Sequence, residues 1–72
     1  MREPSIPKGE MAWLGYYTTA HDLRFLITSK INSRDFYFLY EVVGGALKKL
    51  GKSRSPKELE TKFEVWKKVK EV

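Results

Sequence analysis

The sequence predicts an α+β fold: a small antiparallel sheet of three to four strands, with one C-terminal amphipathic helix packed on it. Runs of aromatic and β-branched residues, which favour strands, occupy much of residues 11–50 and are separated by turn residues. Residues 55–72 instead have a helix start signal and one apolar stripe. A chain of 72 residues has room for one domain only.

Two strands are predicted before the central hairpin. Residues 11–19, MAWLGYYTT, are rich in aromatic residues and end in threonines, and Gly15 among them indicates a bulge or a close backbone approach. Residues 20–30 are ambiguous, because their leucines have helical spacing while every second residue from Leu23 to Ile27 is apolar. The β-branched residues in this segment and the turn residues after it favour a strand.

A hairpin is predicted at Gly44-Gly45, between the run FYFLYEVV and a lysine-rich run. A helix through this region is rejected, because aromatic residues, β-branched residues and paired glycines all reduce helix stability. Two-residue hairpin turns require positive φ, which glycine adopts easily. This loop predicts the following cross-strand pairs: Val43–Ala46, Val42–Leu47, Glu41–Lys48 and Leu39–Leu50.

The C-terminal helix is predicted to begin at Pro56. Ser55 before it is a preferred N-cap, proline suits the first helical position, and Glu58 completes a capping box. A helix of this length is not stable alone in water, so we expect its apolar stripe to pack on the sheet. The predicted stripe comprises Leu59, Phe63, Trp66 and Val69, widened by Val65.

The net charge of +5 lies entirely in the last part of the chain. Residues 1–45 carry five basic and five acidic residues, whereas residues 46–72 carry nine basic and four acidic residues. Such asymmetry indicates nucleic acid or an acidic protein as partner, although lysines also protect edge strands from aggregation. Strand alternation predicts that Lys48 and Lys52 share one face and that Lys49 lies on the other. The densest cluster comprises Lys48, Lys49, Lys52, Arg54 and Lys57.

Several kinds of site are excluded by the residues present. Without cysteine there is no disulfide and no thiolate ligand, and the single histidine, His21, cannot build a histidine metal site. The segment GALKKLGKS ends like a phosphate-binding P-loop, but it has five residues between its glycines where that motif has four. No arrangement of serine, histidine and aspartate suits a catalytic triad. We therefore expect that the protein is not an enzyme and that it binds no cofactor and no metal.

Residues 1–10, MREPSIPKGE, are predicted to form an extended arm, and residues 11–72 a single sheet–helix domain. The two prolines of the arm disfavour helix, and an arm that is already extended loses little entropy on docking. Ile6 and Trp13 are therefore expected to contact a partner, together with the basic cluster. No apolar run approaches the roughly 20 residues of a membrane span, and no signal pattern is present. We expect a cytoplasmic monomer with no membrane partner.

Two resemblances bear on function. The order of hairpin, basic strand and capped helix over residues 34–72 resembles the DNA-binding domains of tyrosine-recombinase arms and AP2-type factors, which place a three-stranded sheet in the major groove. The whole chain, with its small size, its lack of cysteine, its proline-flanked arm and its sheet–helix body, is similar in kind to small bacteriophage regulators that bind the host RNA polymerase.

The second resemblance implies a non-enzymatic regulator that acts in the cytoplasm of the host cell and alters transcription initiation or termination, including antitermination. Its arm would dock on a polymerase subunit, and its basic half would lie near acidic protein or nucleic acid. The first resemblance implies the alternative, in which the sheet binds DNA directly with little sequence preference.

Overall fold

In the computed structural model, residues 6–18 and 22–70 are described. Four antiparallel strands form one sheet in chain order: β1 (Glu10–Tyr17), β2 (Leu23–Lys30), β3 (Ser33–Val43) and β4 (Ala46–Ser53). Two short helices follow: α1 (Pro56–Lys62) and α2 (Val65–Lys70). The architecture is α+β, as predicted, and the ambiguous segment contains strand β2.

The first half of the predicted arm, residues 1–5, lies outside the described residues, as do residues 19–21, which include His21, and residues 71–72. The second half of the arm joins the sheet. Gly9 adopts φ 87° in a turn, its carbonyl oxygen accepts a hydrogen bond from the backbone N–H of Ile31, and Glu10 is the first residue of β1. Among the described residues, no helix has the length and apolar character needed to cross a membrane.

The β3–β4 hairpin turns at the two predicted glycines. Gly44 and Gly45 have φ values of 57° and 82°, so both occupy the left-handed region that this turn requires. The three predicted pairs nearest the turn are confirmed: Val43–Ala46, Val42–Leu47 and Glu41–Lys48.

The fourth predicted pair is wrong, because a β-bulge adds one residue to β4. Leu39 pairs with Gly51 rather than Leu50, and Leu50 is the extra residue. Leu50 packs against the core, and the bare Cα of Gly51 lies beneath the ring of Phe63. A Cβ at Gly51 would lie only 2.8 Å from Cζ of Phe63. The bulge therefore lets the chain between the helices pack closely on β4.

The core lies between one face of the sheet and the two helices. Burying an aliphatic or aromatic side chain of this kind contributes about 1.5–3 kcal/mol to folding. The strands provide Tyr16, Phe25, Ile27 and Leu39, and the helices provide Leu59, Val65 and Val69.

The prediction of a single C-terminal helix is wrong, because the chain turns between α1 and α2. Phe63 leaves helical geometry with ψ 5°, and Glu64 adopts a left-handed φ of 50°. In a straight helix Val65 would lie about 120° around the axis from Leu59. The turn reorients α2, so that Val65 and Leu59 are both buried against the sheet.

The turn also removes Trp66 from the predicted stripe and leaves it 51% exposed. Its ring packs edge-on against Tyr16 with centroids 4.9 Å apart, and its Nε1 donates a hydrogen bond to Glu60. The start of α1 is at Pro56, as predicted. Ser55 occupies the N-cap position, but its side chain makes no capping hydrogen bond, so the predicted capping box is not formed.

Candidate nucleic-acid interface

No helix of the described residues packs on the opposite face of the sheet, which we call the open face. A column of aromatic residues runs along it on β3, because Phe36, Phe38 and Tyr40 alternate with the core-facing residues. Phe38 and Tyr40 are 7% and 4% exposed, whereas Phe36 is 37% exposed. The column therefore forms the floor of the open face and has one accessible ring at its end.

Basic side chains from β4 and from Arg54, which follows it, lie over this aromatic column. The Nζ atom of Lys49 is 4.6 Å from the ring centroid of Phe38, and the Nζ atom of Lys52 is 5.3 Å from that of Phe36. The guanidinium carbon of Arg54 is 5.5 Å from the same Phe36 centroid. These are cation–π distances, so the aromatic rings help to hold positive charge on the open face.

The predicted distribution of lysines between the two faces of β4 is wrong. Because the bulge at Leu50 shifts the alternation by one residue, Lys49 pairs with Tyr40 and Lys52 pairs with Phe38. Both lysines therefore lie on the open face. Lys48, which pairs with Glu41, lies on the other face.

The structure divides the predicted basic cluster into two groups. Lys49, Lys52 and Arg54 come together beside the aromatic column. Lys48 lies on the other face of β4, opposite Glu41, and Lys57 is an exposed residue in the first turn of α1. Only three of the five basic residues in the predicted cluster therefore lie on the open face.

Two further lysines, which sequence reasoning missed, add positive charge to the open face on the β1 and β2 side. A groove of about 510 Å³ lies on the open face, and Lys8 and Lys30 line it together with the β4 lysines. Lys30 could have been found by alternation along β2, whereas the position of Lys8 depends on the turn at Gly9. The groove is lined by Lys8, Glu10, Lys30, Ser33, Asp35, Phe36, Phe38, Lys49 and Lys52.

Glu10 is bonded to the floor of this groove. Its Oε1 accepts hydrogen bonds from Oγ1 of Thr28 at 2.7 Å and from the hydroxyl of Tyr40 at 2.8 Å. Burial, followed by the hydrogen bond and the charge of Glu10, raises the pKa of Tyr40 to about 12. The phenol therefore stays neutral and donates its proton, and these bonds join β1 to β2 and β3 across the open face.

The outer edge of the sheet at β1 is a second exposed feature. From Met11 to Tyr17 the strand carries no charged residue. We call the outer side of this strand, with Ile6 beside it, the apolar edge. Ile6 and Trp13, both predicted contact residues, line a pocket of about 140 Å³ that extends from β1 to Leu23 and Leu26 of β2. The exposed side chains of this edge are Ile6, Met11, Trp13, Leu14 and Tyr17.

Within residues 6–18 and 22–70, no group of three or more acidic or histidine side chains is placed to hold a metal ion. No protein-family model, curated protein or solved structure matches the chain. The groove and the apolar edge are therefore the features from which a function can be inferred.

Proposed function

We propose that this protein is a non-enzymatic binding protein that holds nucleic acid on the open face of its sheet. The observation that carries the proposal is the position of Lys49, Lys52 and Arg54 beside the aromatic column. Lysine and arginine side chains bind phosphates and release counterions, which provides most of the affinity of such interfaces. Aromatic rings beside them offer surfaces on which bases stack.

The charges around the groove support an anionic ligand. Four lysines line it against two carboxylates, and both carboxylates already accept hydrogen bonds from neighbouring side chains. Ser33 donates to Asp35, and Thr28 and Tyr40 donate to Glu10. The lysines come from both sides of the groove, so the groove as a whole attracts an anionic ligand.

The proposal is tested by fluorescence anisotropy with a labelled oligonucleotide over a series of salt concentrations. Lys49→Gln combined with Lys52→Gln should weaken binding and reduce the slope of log affinity against log salt by about 0.7–0.9 for each phosphate that these lysines neutralise. The matched control is Lys67→Gln combined with Lys68→Gln, which removes the same charge from exposed positions of α2.

The control pair should retain most of the affinity of the unmodified protein. If both pairs weaken binding equally, the affinity depends on net charge and the open face is not the interface. If the unmodified protein does not bind any oligonucleotide at low salt, the proposed function is wrong.

A second candidate function is that of a small transcription regulator that binds host RNA polymerase in the cytoplasm. The apolar edge favours it, because an uncharged edge strand with exposed large side chains is suited to pairing with a strand of another protein. Ile6 and Trp13 lie together at this edge, and they would form the contact.

This candidate is tested by a pull-down of purified RNA polymerase with the tagged protein. Leu14→Lys places a charge on the apolar edge and should abolish capture by opposing strand pairing. Val43→Lys is the matched control, because it changes another exposed apolar residue at the far end of β3. Retention of polymerase by Leu14→Lys, or no capture by the unmodified protein, would reject this candidate.

A further inference from the structure

We propose that the nucleic acid bound by the open face is single-stranded, with one unpaired base stacked on Phe36 and the adjacent phosphates held by Lys52 and Arg54. The inference rests on the proposed function and specifies its ligand class. It follows from the accessibility of one ring, the shape of the groove and the position of its carboxylates.

Phe36 combines an accessible ring with two cations. Phe38 and Tyr40 are largely covered, so Phe36 is the ring of the aromatic column that a ligand can reach. Lys52 and Arg54 lie 5.3 Å and 5.5 Å from its centroid, and both have long flexible side chains that can move to a phosphate when a base replaces them on the ring. An unpaired base offers a free aromatic face, whereas the bases of a duplex are already stacked on each other.

The shape of the groove also favours a single strand. Its volume of about 510 Å³ lies in the range of small-ligand sites. A site of this size accepts one or two nucleotide units, but a duplex would rest on the rim. Proteins that recognise the bases of a duplex usually insert a helix or a β-ribbon into its major groove. Here the aromatic and basic residues instead line a depression.

Glu10 helps to define the path of the backbone. Its carboxylate offsets part of the positive charge of Lys8 and Lys30 on the β1 side of the groove. Lys49 and Lys52 lie on β4 at the opposite side, and Arg54 follows the end of that strand. The phosphates are therefore expected to follow β4, with the base directed inward toward Phe36.

The test measures anisotropy with a labelled oligothymidine and with the duplex that it forms with oligoadenine, both at the same low salt concentration. We expect the single strand to bind at least tenfold more tightly than the duplex. Phe36→Leu keeps an apolar side chain but removes the aromatic face, and it should weaken single-strand binding by about five- to 150-fold, the range for one base–aromatic stack.

Two further variants keep this test independent of folding. Phe36→Tyr retains a ring and should restore single-strand binding to near the original affinity. Tyr17→Leu removes an exposed aromatic ring from β1 and should change affinity less than twofold. Thermal melts of each variant establish that it is folded before binding is measured.

The results distinguish this inference from the proposed function. Equal or tighter binding of the duplex, or single-strand binding that Phe36→Leu does not weaken, would overturn the single-strand inference while leaving nucleic-acid binding intact. Failure to bind either ligand would overturn both.

Discussion

Tyr40 shows how a single residue connects the strands beneath the groove. Its ring belongs to the aromatic column, and its hydroxyl donates to the carboxylate of Glu10, which also accepts a hydrogen bond from Thr28. A buried phenol beside a carboxylate is stable only while it keeps its proton, because the phenolate would be desolvated and repelled by Glu10. The groove floor is thus sensitive to alkaline pH.

We predict that the free energy of unfolding decreases as the pH rises from about 10 to about 12. The pKa of Tyr40 is raised from 10.0 to about 12 in the folded protein. The unfolded chain loses this proton at lower pH, so deprotonation favours unfolding throughout that interval. Urea denaturation at a series of pH values measures the effect.

Tyr40→Phe cannot ionise, so its unfolding free energy should depend less steeply on pH in the same interval. Tyr16, whose pKa is also raised by burial and by its hydrogen bond to Glu60, contributes to the remaining slope. An unchanged slope in Tyr40→Phe would contradict the environment assigned to this phenol.

We predict that Gly51→Ala destabilises the fold by about 1–3 kcal/mol, the usual range for overpacking. The new Cβ would lie 2.8 Å from the ring of Phe63, which must move away from β4. Urea denaturation measures the change. In a chain that already carries Phe63→Leu, Gly51→Ala should lower the free energy of unfolding by less. If the two changes in unfolding free energy are strictly additive, the two residues do not contact each other.

At the scale of the elements, the sequence predicted the features that depend on neighbouring residues. The hairpin turn was predictable because Gly44 and Gly45 both need positive φ, and the start of α1 because Pro56 suits its first position. The bulge at Leu50 was not predictable from neighbouring residues, because it accompanies a contact between Gly51 and Phe63, which are separated along the chain.

The same bulge explains the main error about the candidate site. Alternation alone separated Lys49 from Lys52, whereas the extra residue Leu50 brings them to the same face. Lys8 was missed for a similar reason. Its place at the groove depends on the backbone hydrogen bond from Ile31 to Gly9. The charge excess was visible in the sequence, but which of the lysines lie on the open face depended on tertiary packing.

The turn between the helices is the element whose backbone is most constrained. We predict that Glu64→Gly is more stable than Glu64→Ala, because residue 64 has φ 50° and only glycine adopts this region without a steric cost. In one continuous helix the order would be reversed, with glycine about 1 kcal/mol less stable than alanine. Comparison of the two variants by urea denaturation therefore tests whether α1 and α2 are separate.

At the scale of the whole molecule, the two faces of the sheet have different roles. One face is buried by the helices and holds the core, and the open face carries the groove with its aromatic column and lysines. The two edges also differ, since β1 is uncharged from Met11 to Tyr17 and β4 carries lysines. The proposed nucleic-acid binding by the open face and the proposed protein binding by the apolar edge are consequently separable by mutation.

Binding of nucleic acid to the open face can be located by an NMR titration of the nitrogen-labelled protein with oligothymidine. We predict that the largest backbone shift changes occur at Phe36, Phe38, Lys49 and Lys52, with little change at Lys67 and Lys68 on α2. Largest changes on the helices or along the apolar edge, or no saturable change at low salt, would show that the open face is not the binding site.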